Sequence, residues 1–252
     1  MTDRSTILRE MGLTPIWAVR GATPQALDVV AEPQRAAPLA IEESVAQIEQ
    51  AGLPDPNREA AIAGMSWEEL VTSVAQCTAC KLSKTRNKTV PGVGDRSPTW
   101  MVIGEAPGEN EDKQGEPFVG KAGQLLDAML AAVGKTRTQG TFIANVIKCR
   151  PPGNRNPEPD EIAACAPYLK RQVTLASPKL LLAAGKFAAQ TLLNRDDTVA
   201  LMRASGGQFA GIPVVVTYHP SYLLRSPLEK AKAWDDLMKA RARGRKKPLK
   251  MI

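Results

Sequence analysis

The sequence lacks an apolar run long enough to span a membrane, which excludes a transmembrane protein on its hydropathy pattern. Its opening residues, MTDRSTILREMG, contain acidic side chains and no continuous apolar segment, so they do not form a secretory signal peptide. From these two absences we expect a cytoplasmic protein with no membrane association.

Cysteine and histidine are also scarce. The chain of 252 residues has a single histidine, His219, and four cysteines, of which Cys77 and Cys80 form a C-x-x-C pair, followed by Cys149 and Cys165. In a chain without a secretory signal, four cysteines from three places in the sequence favour a metal or iron–sulfur site over disulfides. The alternative is four unrelated buried thiols, because free cysteine often behaves as a small apolar core residue.

Length and charge set the general class of the protein. A hydrophobic content of 43% over 252 residues is enough for one large core, so we expect one globular domain with appendages. The net charge of +7 favours an anionic partner, since lysine and arginine release counterions when they meet a phosphate backbone. Basic charge alone does not establish nucleic-acid binding.

The domain organisation follows from changes in composition. Residues 1–65 predict a short amphipathic helix and an Ala- and Pro-rich linker, residues 66–240 a folded domain, and residues 241–252 a basic tail. The helix around Trp17 either docks on the main domain or forms a tethered peptide for a protein partner. The tail sequence RARGRKKPLK predicts a disordered end that either adds nonspecific affinity for DNA or is a solvated terminus with no role.

The folded domain alternates strands with helices. The sequence S-W-E-E from Ser66 is a capping box that opens a helix ending near the first two cysteines, and Ser226 begins the cap of a last helix that carries Trp234. Because helical patterns separate the strands, we predict an α/β three-layer fold with a central, mainly parallel four-stranded sheet. The strands are predicted at Trp100–Ile103, Thr141–Ile147, Lys179–Ala184 and Val214–Tyr218.

Polar segments rich in glycine and proline follow these strands. They are GEAPGENED from Gly104, QGEPFVGKAG from Gln114, NVIKCRPPGNR from Asn145 and HPSYLLR from His219. Since ligands of such sheets bind beyond the carboxyl ends of the strands, the segments predict a cleft at that edge.

Together, with the cysteines interleaved, the four segments resemble those of the family 4 uracil-DNA glycosylases, the iron–sulfur type. The resemblance covers residues from about 66 to 240 and implies an enzyme of base excision repair. Such an enzyme flips uracil out of DNA and hydrolyses its N-glycosidic bond, leaving an abasic site. The lack of an insertion after GEAPGENED argues against the related covalent-trapping glycosylases. Neither Lys113 nor Lys121 stands where the family places catalysis, which favours a monofunctional hydrolase over a Schiff-base lyase.

The resemblance also implies residues that bind and activate the base. Phe118 stacks on the flipped pyrimidine, and the Asn145 amide donates to uracil O4 and accepts from N3–H, a pattern that cytosine does not match. His219 and the backbone N–H of Ala106 donate to the negative charge that collects on uracil as the bond breaks.

Glu105 and Glu111 are the candidate carboxylates. One of them stabilises the oxocarbenium-like sugar and orients the attacking water, and the sequence does not decide which. The alternative position for Glu111 is beside uracil C5, where it would exclude the methyl group of thymine.

The candidate DNA-binding residues come from two of the segments, NVIKCRPPGNR and HPSYLLR. The polar members contact phosphates or the opposite strand, and the two leucines either wedge into the gap left by the flipped base or pack in the core. The candidates are Arg150, Asn154, Arg155, Ser221, Leu223, Leu224 and Arg225.

The cysteine spacing suits either structural zinc or a [4Fe–4S] cluster, and the resemblance favours the cluster, held by Cys77, Cys80, Cys149 and Cys165. Its expected role is structural. The expected partner is uracil-containing DNA, single or double stranded, bound by a monomer.

Three other functions compete with this interpretation. The first is a catalytically weak DNA-binding or polymerase-associated module of the same fold, which need not keep Phe118, Asn145 and His219 together. The second is an iron–sulfur electron carrier, which needs neither the HPSYLLR segment nor a positive charge. The third is a glycosylase for another deaminated base.

Overall fold

The computed structural model describes residues 56–245. The predicted N-terminal helix and most of the predicted linker therefore lie outside the described residues. Within 56–245, the helices are α1 (Pro56–Gly64), α2 (Trp67–Gln76), α3 (Glu109–Gln114), α4 (Lys121–Ala132), α5 (Pro159–Ala176), α6 (Lys186–Leu193), α7 (Val199–Ser205), α8 (Pro220–Arg225) and α9 (Lys230–Arg245). The strands are β1 (Val93–Gly94), β2 (Trp100–Gly104), β3 (Thr141–Asn145), β4 (Leu180–Ala184), β5 (Gly207–Phe209) and β6 (Ile212–Thr217).

The sheet has the strand order β1-β3-β2-β4-β6-β5. Its four central strands are parallel, and β1 and β5 pair antiparallel at the two edges. The predicted α/β class and mainly parallel sheet are confirmed, but the prediction of four strands missed these two edges. Both edge strands are too short to show a pattern of alternating apolar residues. The clearest indication of β5 is the hairpin turn that joins it to β6 at Ala210 and Gly211, where both residues have positive φ.

Helices cover both faces of the sheet, as the predicted three-layer fold requires. Alternate residues of β2 belong to different cores: Met101 and Ile103 to one, and Trp100 and Val102 to the other. The first core includes apolar side chains of α5, α6 and α7, and the second includes side chains of α4 and α9. Strands buried on both faces explain the continuous apolar runs in the sequence.

A third, smaller core joins α1, α2 and α5 through Ile62, Leu70, Val74 and Tyr168. The capping box at Ser66 forms as predicted: the Ser66 hydroxyl accepts from the Glu69 N–H, and the Glu69 carboxylate accepts from the Ser66 N–H. Helix α1 precedes Ser66, so the packed part of the chain reaches at least to residue 56.

The C-terminal helix is longer than expected. Residues 241–245 continue α9, whereas the sequence predicted that the disordered tail begins at Arg241. Ala240 is fully buried, so the helix is still docked on the sheet where the tail was expected to start. Basic side chains also suit the C-terminal end of a helix because they lie near its negative dipole end. None of the helices described between residues 56 and 245 is both long and apolar enough to cross a membrane.

Candidate active site

A cleft of about 550 Å³ lies at the carboxyl ends of the parallel strands, where the sequence predicted it. It is lined by residues from all four polar segments, so the sheet brings together parts of the chain that are far apart in sequence. The predicted site residues that line it are Glu105, Ala106, Glu111, Phe118, Asn145, Asn154, Arg155, His219, Ser221 and Arg225.

Phe118 has an unusual backbone conformation. Its φ is 55°, in the left-handed region that bulky residues seldom adopt, and a strained residue of this kind costs about 1 to 3 kcal/mol. The turn packs tightly on α4, since a side chain at Gly123 would collide with the Phe118 carbonyl. The Phe118 ring is stacked with the His219 imidazole, with 5.5 Å between ring centroids and 28° between planes. The strained turn thus fixes an aromatic surface inside the cleft.

Asn145 ends strand β3 with its side chain at the cleft. It is 2% exposed, and its Oδ1 has no hydrogen-bond partner among the described residues. Gly104 makes room for it, because a side chain there would collide with Oδ1 and with the Phe118 ring. A buried acceptor without a partner is costly, so this oxygen is available to a ligand with an N–H group.

His219 caps helix α8 in a defined tautomer. Its Nδ1 accepts the backbone N–H of Ser221 at 3.2 Å and lies 2.7 Å from the Ser221 hydroxyl, which leaves the ring proton on Nε2. Burial, and to a smaller extent the charge of Arg225, lower the pKa of His219 to about 4, while Glu111 opposes the shift. The imidazole is therefore neutral at pH 7 and offers one donor, Nε2–H. Gly185 permits this packing, because a Cβ at that position would lie 2.9 Å from the Cβ of His219.

The two candidate carboxylates have opposite surroundings. Glu111 accepts three backbone N–H groups, from Gly108 at 3.1 Å, Val119 at 3.0 Å and Gly120 at 3.4 Å, and so ties two loops of the cleft together. The Glu105 carboxylate has no hydrogen bond to the described residues, and burial raises its pKa to about 7. Glu105 is therefore the carboxylate free to handle a proton.

The loop that carries Glu105 also presents a backbone donor. The carbonyls of Gly104 and Glu105 accept from Val146 and Ile147, at 2.9 and 3.3 Å, which fixes the start of the loop beside β3. The N–H of Ala106 donates to no atom of the residues that the structure describes. Ala106 lines the cleft, so this N–H is available to a bound anion.

Some of the side chains expected to contact DNA already bond to other residues of the protein. Arg150 donates to the Asn154 side chain at 2.7 Å, and Arg155 forms a forked pair with the buried Glu161 at 2.6 and 2.9 Å. These two arginines thus order the Pro151–Asn156 loop. The Ser221 hydroxyl is also engaged within the protein, since it hydrogen-bonds to His219. Arg225 lines the cleft without a hydrogen bond or ion pair to the described residues.

Of the two alternatives for the leucines of α8, a wedge in DNA or packing in the core, Leu223 takes the core position. This side chain is 1% exposed and packs in the core shared with α4 and α9, whereas Leu224 is 43% exposed. Successive residues of a helix point about 100° apart, so one leucine faces the core and the next faces solvent. Only Leu224 is available as a wedge.

The four cysteines line one small cavity between α2, the loop after β3 and α5. Arg58 donates to Cys77 Sγ at 3.6 Å and Arg86 to Cys149 Sγ at 3.2 Å, so cationic groups face the sulfur atoms. No three Cys, His, Asp or Glu side chains between residues 56 and 245 are close enough to hold a single metal ion as they stand. The four thiols therefore share one cavity that cationic side chains also face.

A comparison with protein families shows which family the chain belongs to. Residues 91–238 match the model of the uracil DNA glycosylase superfamily. The chain belongs to the uracil DNA glycosylase superfamily. The match includes all the residues that line the cleft and two of the four cysteines.

Curated glycosylases cover most of the same region. The chain is 40% identical over 170 residues to a type-4 uracil-DNA glycosylase of Archaeoglobus fulgidus, covering 64% of this chain and 85% of the relative. It is 39% identical over 181 residues to the type-4 enzyme of Pyrobaculum aerophilum, covering 69% and 92%. It is 40% identical over 166 residues to the type-4 enzyme of Thermotoga maritima, covering 63% and 85%. The resemblance to the family 4 glycosylases is confirmed.

Sequence reasoning missed three residues of this glycosylase fold that support the site. Gly185 follows a buried strand directly, and that position was a usable signal for a close approach at the cleft. Lys148 is 1% exposed, lines the cysteine cavity and donates to the Asn145 carbonyl at 2.6 Å, so it connects the two sites. Arg137 lies in a loop with no recognisable motif, and only its contacts reveal it.

Proposed function

We propose that this protein is a monomeric enzyme that excises uracil from single- or double-stranded DNA by hydrolysing the N-glycosidic bond and leaves an abasic site. The observation that carries the proposal is the buried Oδ1 of Asn145, which has no partner among residues 56–245, in a cleft that also holds an aromatic surface and a neutral imidazole donor. The names of the curated type-4 relatives support the same activity.

Recognition begins when uracil leaves the base stack and enters the cleft. Phe118 provides the surface on which the ring stacks. The Asn145 Oδ1 accepts uracil N3–H, and its amide group donates to O4. Cytosine has an amino group at position 4 and no N3–H, so it would leave Oδ1 buried without a partner, which costs about 1 to 3 kcal/mol.

As the bond to the sugar breaks, negative charge collects on the departing uracil. The Nε2–H of His219 and the N–H of Ala106 are the donors for this charge, and both belong to the cleft wall. A neutral imidazole suits this role because burial keeps its pKa far below 7, so it donates a hydrogen bond without giving up its proton. Loss of one such donor lowers the rate by about 100- to 1000-fold.

Glu105 acts on the water that attacks the sugar. The bond between the sugar C1′ and uracil N1 breaks, and its electron pair leaves with the base. The water oxygen bonds to C1′ and gives its proton to the Glu105 carboxylate, whose pKa of about 7 suits a general base near neutral pH. Glu111 holds the loops at Gly108 and Val119 in place, and its hydrogen bonds to three backbone N–H groups make it the less available of the two carboxylates.

We also propose that Cys77, Cys80, Cys149 and Cys165 hold a [4Fe–4S] cluster. Arg58, Arg86 and Lys148 surround the thiols, and such cations suit a site with net negative charge. A zinc ion bound by four thiolates would also have a net negative charge, so the charge alone does not separate zinc from the cluster. When bound, the cluster supplies a cross-link between distant segments of the chain and takes no part in the hydrolysis.

The proposal is tested with matched oligonucleotides that carry uracil, hypoxanthine, a thymine mismatch or cytosine at one position. We expect release of uracil alone, from single and double strands, detected as alkali-labile abasic sites under enzyme excess. Faster release of hypoxanthine would show that the protein is a glycosylase for another deaminated base. DNA binding with no release from any substrate would show a binding module and overturn the proposal.

A further inference from the structure

The turn that carries Phe118 is held from outside by the side chain of Arg137. Arg137 Nη1–H donates to the Pro117 carbonyl at 2.7 Å, and Nη2–H donates to the Phe118 carbonyl at 2.6 Å. These carbonyls belong to the peptide units on either side of Phe118. One guanidinium therefore fixes both peptide planes that set the conformation of this residue.

Arg137 is itself held in place. Its Nη2 also donates to Asp127 of α4 at 3.2 Å, and its side chain is only 19% exposed. The guanidinium thus bridges the turn before α4 and the helix itself. A planar fork with several fixed donors can span two adjacent carbonyls, whereas a lysine ammonium is a single point charge.

The strained conformation requires such a restraint. Phe118 has a φ of 55°, and its carbonyl lies close to α4 at Gly123. Gly123 only leaves space for the turn, while Arg137 supplies attractive contacts to both carbonyls and Glu111 accepts the Val119 N–H at 3.0 Å. If the restraint were lost, the backbone would relax toward negative φ and carry the ring away from His219.

We propose that Arg137 is a positioning residue for base excision, which holds the Phe118 ring against His219 in the orientation that receives the flipped base. This inference rests on the proposed function. Arg137 lies behind the turn and does not line the cleft, so it acts through Phe118 and not by contact with the substrate.

The test uses Arg137→Gln and Arg137→Lys, with Arg195→Gln as a control that removes the same charge from an exposed residue away from the cleft. Single-turnover uracil release should fall about 100-fold in Arg137→Gln, because small displacements of a positioned group cost that much. The loss should be smaller in Arg137→Lys. Affinity for undamaged DNA should change no more than in Arg195→Gln. Equal release rates in Arg137→Gln and Arg195→Gln would overturn the proposal.

A double-mutant cycle shows whether Arg137 acts through Phe118. In a Phe118→Ala background, Arg137→Gln should cause no further loss of rate, because the ring that it positions is already absent. A full further loss would overturn the proposal and indicate a different role for Arg137.

A structural readout separates this proposal from the proposed function. Hydrogen exchange of the amides in residues 116–120 should be faster in Arg137→Gln than in the wild-type protein or Arg195→Gln. Arg137→Lys provides the same measurement if the glutamine variant does not fold. Unchanged exchange would overturn the positioning role, whereas a wild-type protein that releases no uracil would overturn the proposed function alone.

Discussion

At the scale of single residues, the cleft separates side chains that look equivalent in the sequence. Glu105 and Glu111 belong to the same polar segment, yet three backbone N–H groups donate to the carboxylate of Glu111 and none in the described part of the chain donates to that of Glu105. Burial without a partner raises the pKa of Glu105 to about 7. Their roles therefore depend on hydrogen bonding and not on residue type.

The first prediction concerns the pH dependence of catalysis. If the ionised Glu105 accepts the proton from water, the single-turnover rate should rise about tenfold per pH unit below pH 7 and level off above it. Glu105→Gln should be slow and should lack this limb of the pH–rate profile. A profile of unchanged shape in Glu105→Gln would assign the proton transfer to another group.

The raised pKa of Glu105 also predicts how folding stability depends on pH, which gives a check that does not depend on catalysis. A carboxyl group whose pKa rises from 4.5 to about 7 on folding binds protons more tightly in the folded state, so folding stability falls as pH increases between these values. Glu105→Gln should therefore melt at a higher temperature than the wild type at pH 8 and at a similar temperature at pH 4.5. Thermal unfolding at the two pH values checks this sign.

The second prediction concerns Asn145. Asn145→Asp keeps the shape of the side chain but replaces the NH₂ donor with an oxygen, which repels uracil O4. Uracil release should fall by about 100-fold or more, the range for a lost buried donor, with little change in affinity for undamaged DNA. Uracil release at the wild-type rate would remove Asn145 from the recognition site.

At the scale of secondary-structure elements, α8 gives its residues different tasks. His219 caps the helix from the cleft side, Leu223 anchors it in the core, and Leu224 projects into solvent. A short helix pinned at one face can present the imidazole and an exposed leucine in fixed directions. The pairing of one buried and one exposed leucine follows from helix geometry, but the sequence LL does not indicate which is which.

The third prediction compares these two leucines. Leu223→Ala should lower the free energy of unfolding by about 2 to 5 kcal/mol, because it leaves a cavity in the core. Leu224→Ala should leave stability nearly unchanged and reduce uracil release from duplex DNA more than from single strands, since a wedge acts only on a base stack. Chemical denaturation and paired substrates measure both effects. Equal stability losses would contradict the assignment of faces.

At the scale of the whole molecule, two sites share one scaffold. The cleft lies at the carboxyl ends of the parallel strands, and the cysteine cavity lies where α2 and α5 meet the loop after β3. Lys148 touches both, since it lines the cavity and donates to the Asn145 carbonyl. Loss of the cysteine site should therefore affect folding first and the cleft only through the end of β3.

The fourth prediction tests the cysteine site. The purified protein should be brown and contain iron and acid-labile sulfide in equal amounts. Cys149→Ala should lose iron and soluble yield, while uracil release per folded molecule should change far less. Thr78→Ala, on the loop between the first two cysteines, is a matched control that should keep its iron. Stoichiometric zinc without iron in the wild-type protein would contradict the cluster.

The sequence by itself determined the α/β class, the order of the parallel strands along the chain, the capped helix at Ser66 and many of the residues that line the cleft. These features depend on local patterns: buried strands form apolar runs, and polar turns follow them. Tertiary structure alone decided that Glu105 is the free carboxylate, that Leu223 is buried and that Arg137 holds the turn at Phe118. Each of these depends on burial or on hydrogen bonds between separate segments of the chain, and no local pattern of residues encodes such long-range contacts.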